Sequence, residues 1–113
     1  MNWIPLENET QLSEIKQQAG YSIIFKHSTR CSISMMAKKR VDMDLDELPE
    51  TVKPYFLDLI AYRDLSHQVA EIFQVHHESP QLLLIKNGEC ILDQSHGDIT
   101  IDEVLGLIEQ PQL

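Results

Sequence analysis

Cys31 and Ser34 form a Cys-x-x-Ser pattern within Ser28-Thr29-Arg30-Cys31-Ser32-Ile33-Ser34. The pattern follows the apolar run Tyr21-Ser22-Ile23-Ile24-Phe25 and opens a segment that reads as a helix. A thiol at a helix N-terminus faces unpaired backbone N–H groups and the positive end of the helix dipole. Both favour thiolate, the nucleophilic form of cysteine. Arg30 adds a full positive charge beside it. Ser34 stands where a two-cysteine motif would carry its second thiol, so the pattern points to exchange through one thiol. Thr29, Arg30, Ser32 and Ser34 are the residues expected to stabilise the thiolate, Ser34 by donating its hydroxyl proton to sulfur. Lys26, His27 and His96 are further electrostatic candidates, each expected at the surface. Cys90, followed by Ile91 and Leu92, reads as an ordinary packed cysteine.

Other constellations carry less. His76-His77-Glu78 resembles a metal cluster, but adjacent side chains of an extended segment point to opposite sides, so no metal site is expected. The acidic stretch from Asp42 to Glu50 lacks the central glycine of a calcium loop and reads as a solvated face. The four glycines are not clustered, so no phosphate-binding glycine loop is formed.

The elements that must position Cys31 follow from apolar spacing and turn residues. Trp3 to Leu6 suits a short first strand. Leu12, Ile15 and Ala19 have helical spacing after a cap signal at Thr10, with Gly20 as the stop. Tyr21 to Phe25 is a buried strand, and Lys26 to Arg30 the loop before the thiol. A helix runs from about Ser32 and ends between Val41 and Leu48, before Pro49. Tyr55 to Ala61 reads as a second central strand, and Leu65-Ser66 opens a helix with Val69, Ile72 and Phe73 on one face. Gln81 to Lys86 and Glu89 to Gln94 flank Asn87-Gly88, a strong two-residue hairpin signal. Thr100 caps a last helix carrying Ile101, Val104, Leu105 and Ile108.

The order β-α-β-α-β-α-β-β-α predicts an α/β domain over residues 1–113, with a mixed central sheet and helices on both faces. That is the thioredoxin-like arrangement. In it the reactive thiol follows a central strand, as Cys31 does. A proline, usually cis, lies opposite, before the first hairpin strand, as Pro80 does. The main chain before that proline holds a thiol-bearing partner as an added extended segment, a part that falls to Ser79.

With 113 residues, 42% hydrophobic and 24% charged, the chain suffices for one core without disulfide staples. A net charge of −9 disfavours nucleic acid and anionic membranes as partners. The first residues lack a signal-peptide pattern, and no run approaches the ~18 apolar residues of a membrane helix. Two cysteines far apart fit a reducing cytoplasm.

Three separated segments, Phe25 to Ser34, His77 to Gln81 and Ser95 to Thr100, together resemble the bacillithiol-system redox family of YtxJ-like monothiol bacilliredoxins. The resemblance extends to Trp3 and Ala61-Tyr62-Arg63-Asp64. It implies a thiol-disulfide oxidoreductase that removes bacillithiol from protein mixed disulfides, with Cys31 as the active cysteine. Ser79, Pro80 and His96 would contact the substrate. Its partners would be S-thiolated client proteins and a low-molecular-weight thiol as co-substrate, with no bound cofactor. The competing expectation is a non-turnover adaptor of the same fold, modified reversibly at Cys31. Two positions depart from the family pattern. Ser32 replaces the usual proline and retains a main-chain N–H near the sulfur, and Gly97 replaces a bulkier residue.

Overall fold

The computed structural model describes residues 1–108; the last five residues of the domain expected over 1–113 lie outside the described residues. The elements are β1 (Ile4–Pro5), α1 (Glu9–Gln17), β2 (Tyr21–His27), α2 (Ser32–Asp44), β3 (Lys53–Asp58), α3 (Arg63–Phe73), β4 (Gln81–Lys86), β5 (Glu89–Ser95) and α4 (Ile101–Ile108). Short 3-10 turns follow α2 and β5. The sheet order is β1-β3-β2-β4-β5. β1, β3 and β2 run parallel, and β4 and β5 antiparallel. This is the mixed sheet of the thioredoxin fold.

Strand alternation divides the core between the two faces of the sheet. Ile23, Phe25, Leu82 and Leu84 pack with Ala37 and Val41 of α2 and Ile101 and Val104 of α4. Ile24, Tyr55, Leu57, Leu83 and Ile85 pack with Leu12 and Ile15 of α1 and Leu65, Val69 and Phe73 of α3. Fully burying one such aliphatic side chain stabilises by roughly 1.5–3 kcal/mol, so both helical layers are firmly seated.

Several boundaries differ from the sequence expectation for local reasons. The cap of α1 is Asn8, whose Oδ1 accepts from Gln11 N at 2.9 Å, so Thr10 lies inside the helix. β2 continues through Lys26 and His27, which pair with Leu57 and Asp58 of β3. β3 begins at Lys53 and stops at Asp58, where Oδ1 accepts from Ile60 N at 3.1 Å and Ala61 N at 3.4 Å. This Asx turn ends the strand before the apolar run does. α3 begins at Arg63, two residues early. Thr100 Oγ1 accepts from Glu103 N at 3.2 Å, as a cap should.

The hairpin tip has two positive φ angles, 51° at Asn87 and 80° at Gly88, as a type I′ turn requires. The tip docks on α1 and the turn after it. Asn87 N donates to Gly20 O at 2.9 Å, and Gly20 N donates to Asn87 Oδ1 at 2.7 Å. Lys16 Nζ donates to Gly88 O at 2.9 Å. A Cβ on Gly88 would lie 2.0 Å from the Lys16 carbonyl oxygen.

Candidate functional site

The site lies at the opposite end of β2. Cys31 is the N-cap of α2, with extended backbone (φ −111°, ψ 122°). Its N–H closes a tight turn onto Ser28 O at 3.2 Å, and its carbonyl accepts the first helical bond from Met35 N at 3.0 Å. The thiol is partly exposed and unpaired with the other cysteine. Its pKa is lowered, first by the main chain of Ser34; burial opposes this, and the main chain of Ile33 and the Ser34 hydroxyl add to the lowering. The sulfur has no formed capping bond, so these groups act on the charge that develops on ionisation. The Ser34 hydroxyl is buried and lacks a partner, which leaves its proton free for that charge.

Thr29, Arg30 and Ser32 are exposed around the thiol. The main-chain groups that lower the Cys31 pKa are those of Ser34 and Ile33. Ser32 lines an open groove with Met35 and Met36, and these methionines and Ile33 are exposed beside the thiol.

The proline segment reaches the same end of the sheet. Lys26 pairs with Gln81, so Pro80 lies level with His27. The Ser79–Pro80 peptide is cis. Ser79 Oγ is buried without a partner. Pro80 O accepts from His96 N at 3.1 Å, which draws the turn after β5 against the proline. His96 is exposed, has φ 53°, and its Nε2 lies 3.7 Å from Glu78 Oε2. Arg40 of α2 donates to His96 O at 3.0 Å. Gly97 follows in an open turn where an added Cβ would meet nothing within 4 Å.

Lys26, His27 and Gln81 are buried near the site, a placement that a sequence reading misses. Lys26 and His27 are buried strand residues, at 0% and 4% exposure, and not the surface residues expected. Burial lowers the Lys26 pKa to about 8, and Nζ lies 3.2 Å from His77 Nδ1. His27 packs between Phe25 and Phe56, with ring centroids 6.0 Å and 5.4 Å away. Its pKa is lowered by burial and by Lys38, so it is neutral at pH 7. Buried Gln81 organises the approach to Pro80, donating to His76 O at 2.9 Å and accepting from Glu78 N at 3.4 Å. The sequence signal for all three was their adjacency to apolar runs, which their polar types mask.

Cys90, on β5, has a different setting. Its Sγ donates to Leu92 O at 3.3 Å, and burial pushes its pKa up to about 11. Among the described residues no three His, Cys, Asp or Glu side chains gather as metal ligands. Nor is any helix there long and apolar enough to cross a membrane.

A single partly exposed thiol at this helix N-terminus, on this sheet, defines a thioredoxin-fold redox protein. Solved structures agree on the fold. A thioredoxin-fold protein described as a candidate oxidoreductase is 33% identical, with a TM-score of 0.81 over 95% of this chain and 93% of its own. Mitochondrial thioredoxin 3 of Saccharomyces cerevisiae is 18% identical, with a TM-score of 0.74 over 96% of this chain and 95% of its own. Malassezia sympodialis thioredoxin is 16% identical, with a TM-score of 0.71 over 95% and 88%. The model of the monothiol bacilliredoxin BrxC family matches residues 4–104, and the chain belongs to that family.

Proposed function

We propose that the protein is a monothiol thiol-disulfide oxidoreductase that strips a low-molecular-weight thiol, bacillithiol, from client proteins. The observation that carries this reading is Cys31 at the α2 cap, its pKa lowered by Ser34 and Ile33. The Cys31 thiolate attacks the small-thiol sulfur of a protein mixed disulfide. The old S–S bond breaks, the client cysteine leaves as thiolate and takes a proton from water, and the small thiol remains on Cys31. A second low-molecular-weight thiolate then attacks that new disulfide and leaves as the symmetrical disulfide, regenerating the Cys31 thiolate. One client disulfide is reduced and two small thiols are oxidised to one disulfide. A dedicated reductase acting in place of the second thiol would give the same result at Cys31.

Ser34 in the fourth motif position keeps this cycle on one sulfur, since no neighbouring thiol competes for the mixed disulfide. Ser79 and Pro80, with His96 bonded to Pro80 O, would hold the extended client segment beside Cys31.

The test is reduction of a bacillithiolated client protein, followed as loss of the adduct mass. Cys31→Ser abolishes it, whereas Cys90→Ser retains it. Activity surviving in Cys31→Ser would reject the proposal.

A further inference from the structure

The apolar face of the sheet beneath α1 and α3 ends in two buried polar side chains. Lys26 of β2 and Gln81 of β4 are paired across the strands, so they stand on the same face. Their neighbours there are Ile24, Leu57, Leu83 and Ile85, yet both polar residues are 0% exposed. Burying an ammonium group is costly, and the lowered pKa of Lys26, about 8, records that cost. A methionine would fill the same space without it. A charge retained in such a place marks a role other than filling the core.

What the pair holds is the chain between α3 and β4. α3 ends at Phe73 and β4 begins at Gln81, so residues 74–80 are held by neither a helix nor a strand ladder. Gln81 donates to His76 O at 2.9 Å and accepts from Glu78 N at 3.4 Å. Between these two, Lys26 Nζ lies 3.2 Å from His77 Nδ1. An ammonium has only protons to offer, so Nδ1 is the acceptor. The His67 ring of α3 lies 5.2 Å from that of His77. Three successive residues are thus tied to the sheet, and the next two are Ser79 and Pro80. β2 itself runs on into the turn that ends at Cys31. One contact, across 51 residues of sequence, therefore joins the strand that leads to the thiol to the segment that carries the proline.

We infer that Lys26 is a positioning residue for client binding: through His77 it sets the Ser79–Pro80 main chain against Cys31, where an extended client segment docks. The inference rests on the proposed function and deepens it. The requirement for Lys26 then depends on the main chain of the client and not on the sulfur chemistry at Cys31.

The test compares the wild type with two variants. Lys26→Met keeps the length of the side chain and removes its donors, and His77→Leu breaks the same contact from its partly exposed end. Bacillithiol is presented as its mixed disulfide with an extended single-cysteine peptide or with 2-mercaptoethanol. In both variants kcat/KM for the peptide disulfide should fall about tenfold, through KM, while the 2-mercaptoethanol disulfide and iodoacetamide alkylation of Cys31 keep their wild-type rates. Lys26→Met/His77→Leu should be no worse than either single variant, because the one contact is lost only once. An equal loss on both disulfides, additive losses, or no loss overturns the inference. A second readout needs no turnover. Amide hydrogen exchange is followed in the reduced protein at Glu78 and His96, whose N–H groups are bonded to Gln81 Oε1 and Pro80 O, and at Asn87 of the hairpin tip. Exchange about tenfold faster at Glu78 and His96 alone in Lys26→Met supports the positioning role, even if the wild type reduces neither disulfide and the proposed function fails. Unchanged exchange, or a rise that includes Asn87, makes Lys26 a filler of the core and overturns the inference, even if reduction of clients is confirmed.

Discussion

Cys31 and Cys90 carry the same thiol in opposed settings. Cys31 caps α2, where the N–H groups of a starting helix and the Ser34 hydroxyl favour its thiolate. Cys90 lies on β5 against the α1–α3 core layer, where burial raises its pKa to about 11 and its proton goes to Leu92 O. The two sulfurs share their covalent chemistry and differ first in burial, which is the leading influence on Cys90 and is outweighed at Cys31 by the main chain of Ser34 and Ile33 with the Ser34 hydroxyl. The hydrogen-bonding groups around them differ as well. Around Cys31 the main chain presents donors; beside Cys90 it presents an acceptor. Donors favour sulfur after it has lost its proton, and an acceptor favours sulfur that has kept it.

The sharpest way to break this contrast is alkylation. At pH 7 a thiol with a pKa of about 11 is ionised in only about one molecule in ten thousand. Iodoacetamide should therefore modify Cys31 at least ~100-fold faster than Cys90, read by peptide mass spectrometry. Equal rates would abolish the distinction, and an apparent Cys31 pKa at or above ~8.5 would favour a non-turnover adaptor.

A second measurement concerns Cys90 and stability. Its folded pKa lies above the ordinary thiol value of 9.0. Between about pH 9 and pH 11 the unfolded chain has lost this proton and the folded chain has not, so stability falls as pH rises. Lys26, lowered from 10.5 to about 8, acts in the opposite sense over an overlapping range, so the comparison must be with Cys90→Ala. The advantage of wild type over Cys90→Ala should shrink across this window, by about 5 °C in Tm. A pH-independent difference would remove the burial argument for Cys90.

The smallest effect isolates Ser34. Ser34→Ala should slow Cys31 alkylation below neutral pH by roughly threefold, through loss of one charge-assisted hydrogen bond at a partly exposed site. Because the hydroxyl is buried without a partner, its removal should leave the Tm of the reduced protein unchanged or slightly raised. A large loss of Tm would make Ser34 a structural residue.

Much of the scaffold was legible because it rests on local rules. Asn87-Gly88 fixes a hairpin by backbone conformation alone, and Cys31 could be placed at a cap from the apolar run before it. What escaped depends on distant partners. Lys26 and His27 look like loop residues until their pairing with β3 is known. The contact from Lys26 to His77 spans 51 residues. Arg30 of the thiol turn and Arg63 and His67 of α3 line one cavity, which no spacing within one segment reveals. Thr10 carried the cap signal in sequence, and the geometry places the cap at Asn8.

The docked hairpin tip bears on where this domain tolerates variation. At that pole the chain closes on itself through main-chain atoms, and a single methyl on Gly88 meets a carbonyl oxygen at 2.0 Å. At the other pole, around Gly97, a side chain enters open space. The end remote from the sulfur is therefore the conformationally demanding one, and changes of substrate can be introduced around the thiol without loosening the latch beneath it.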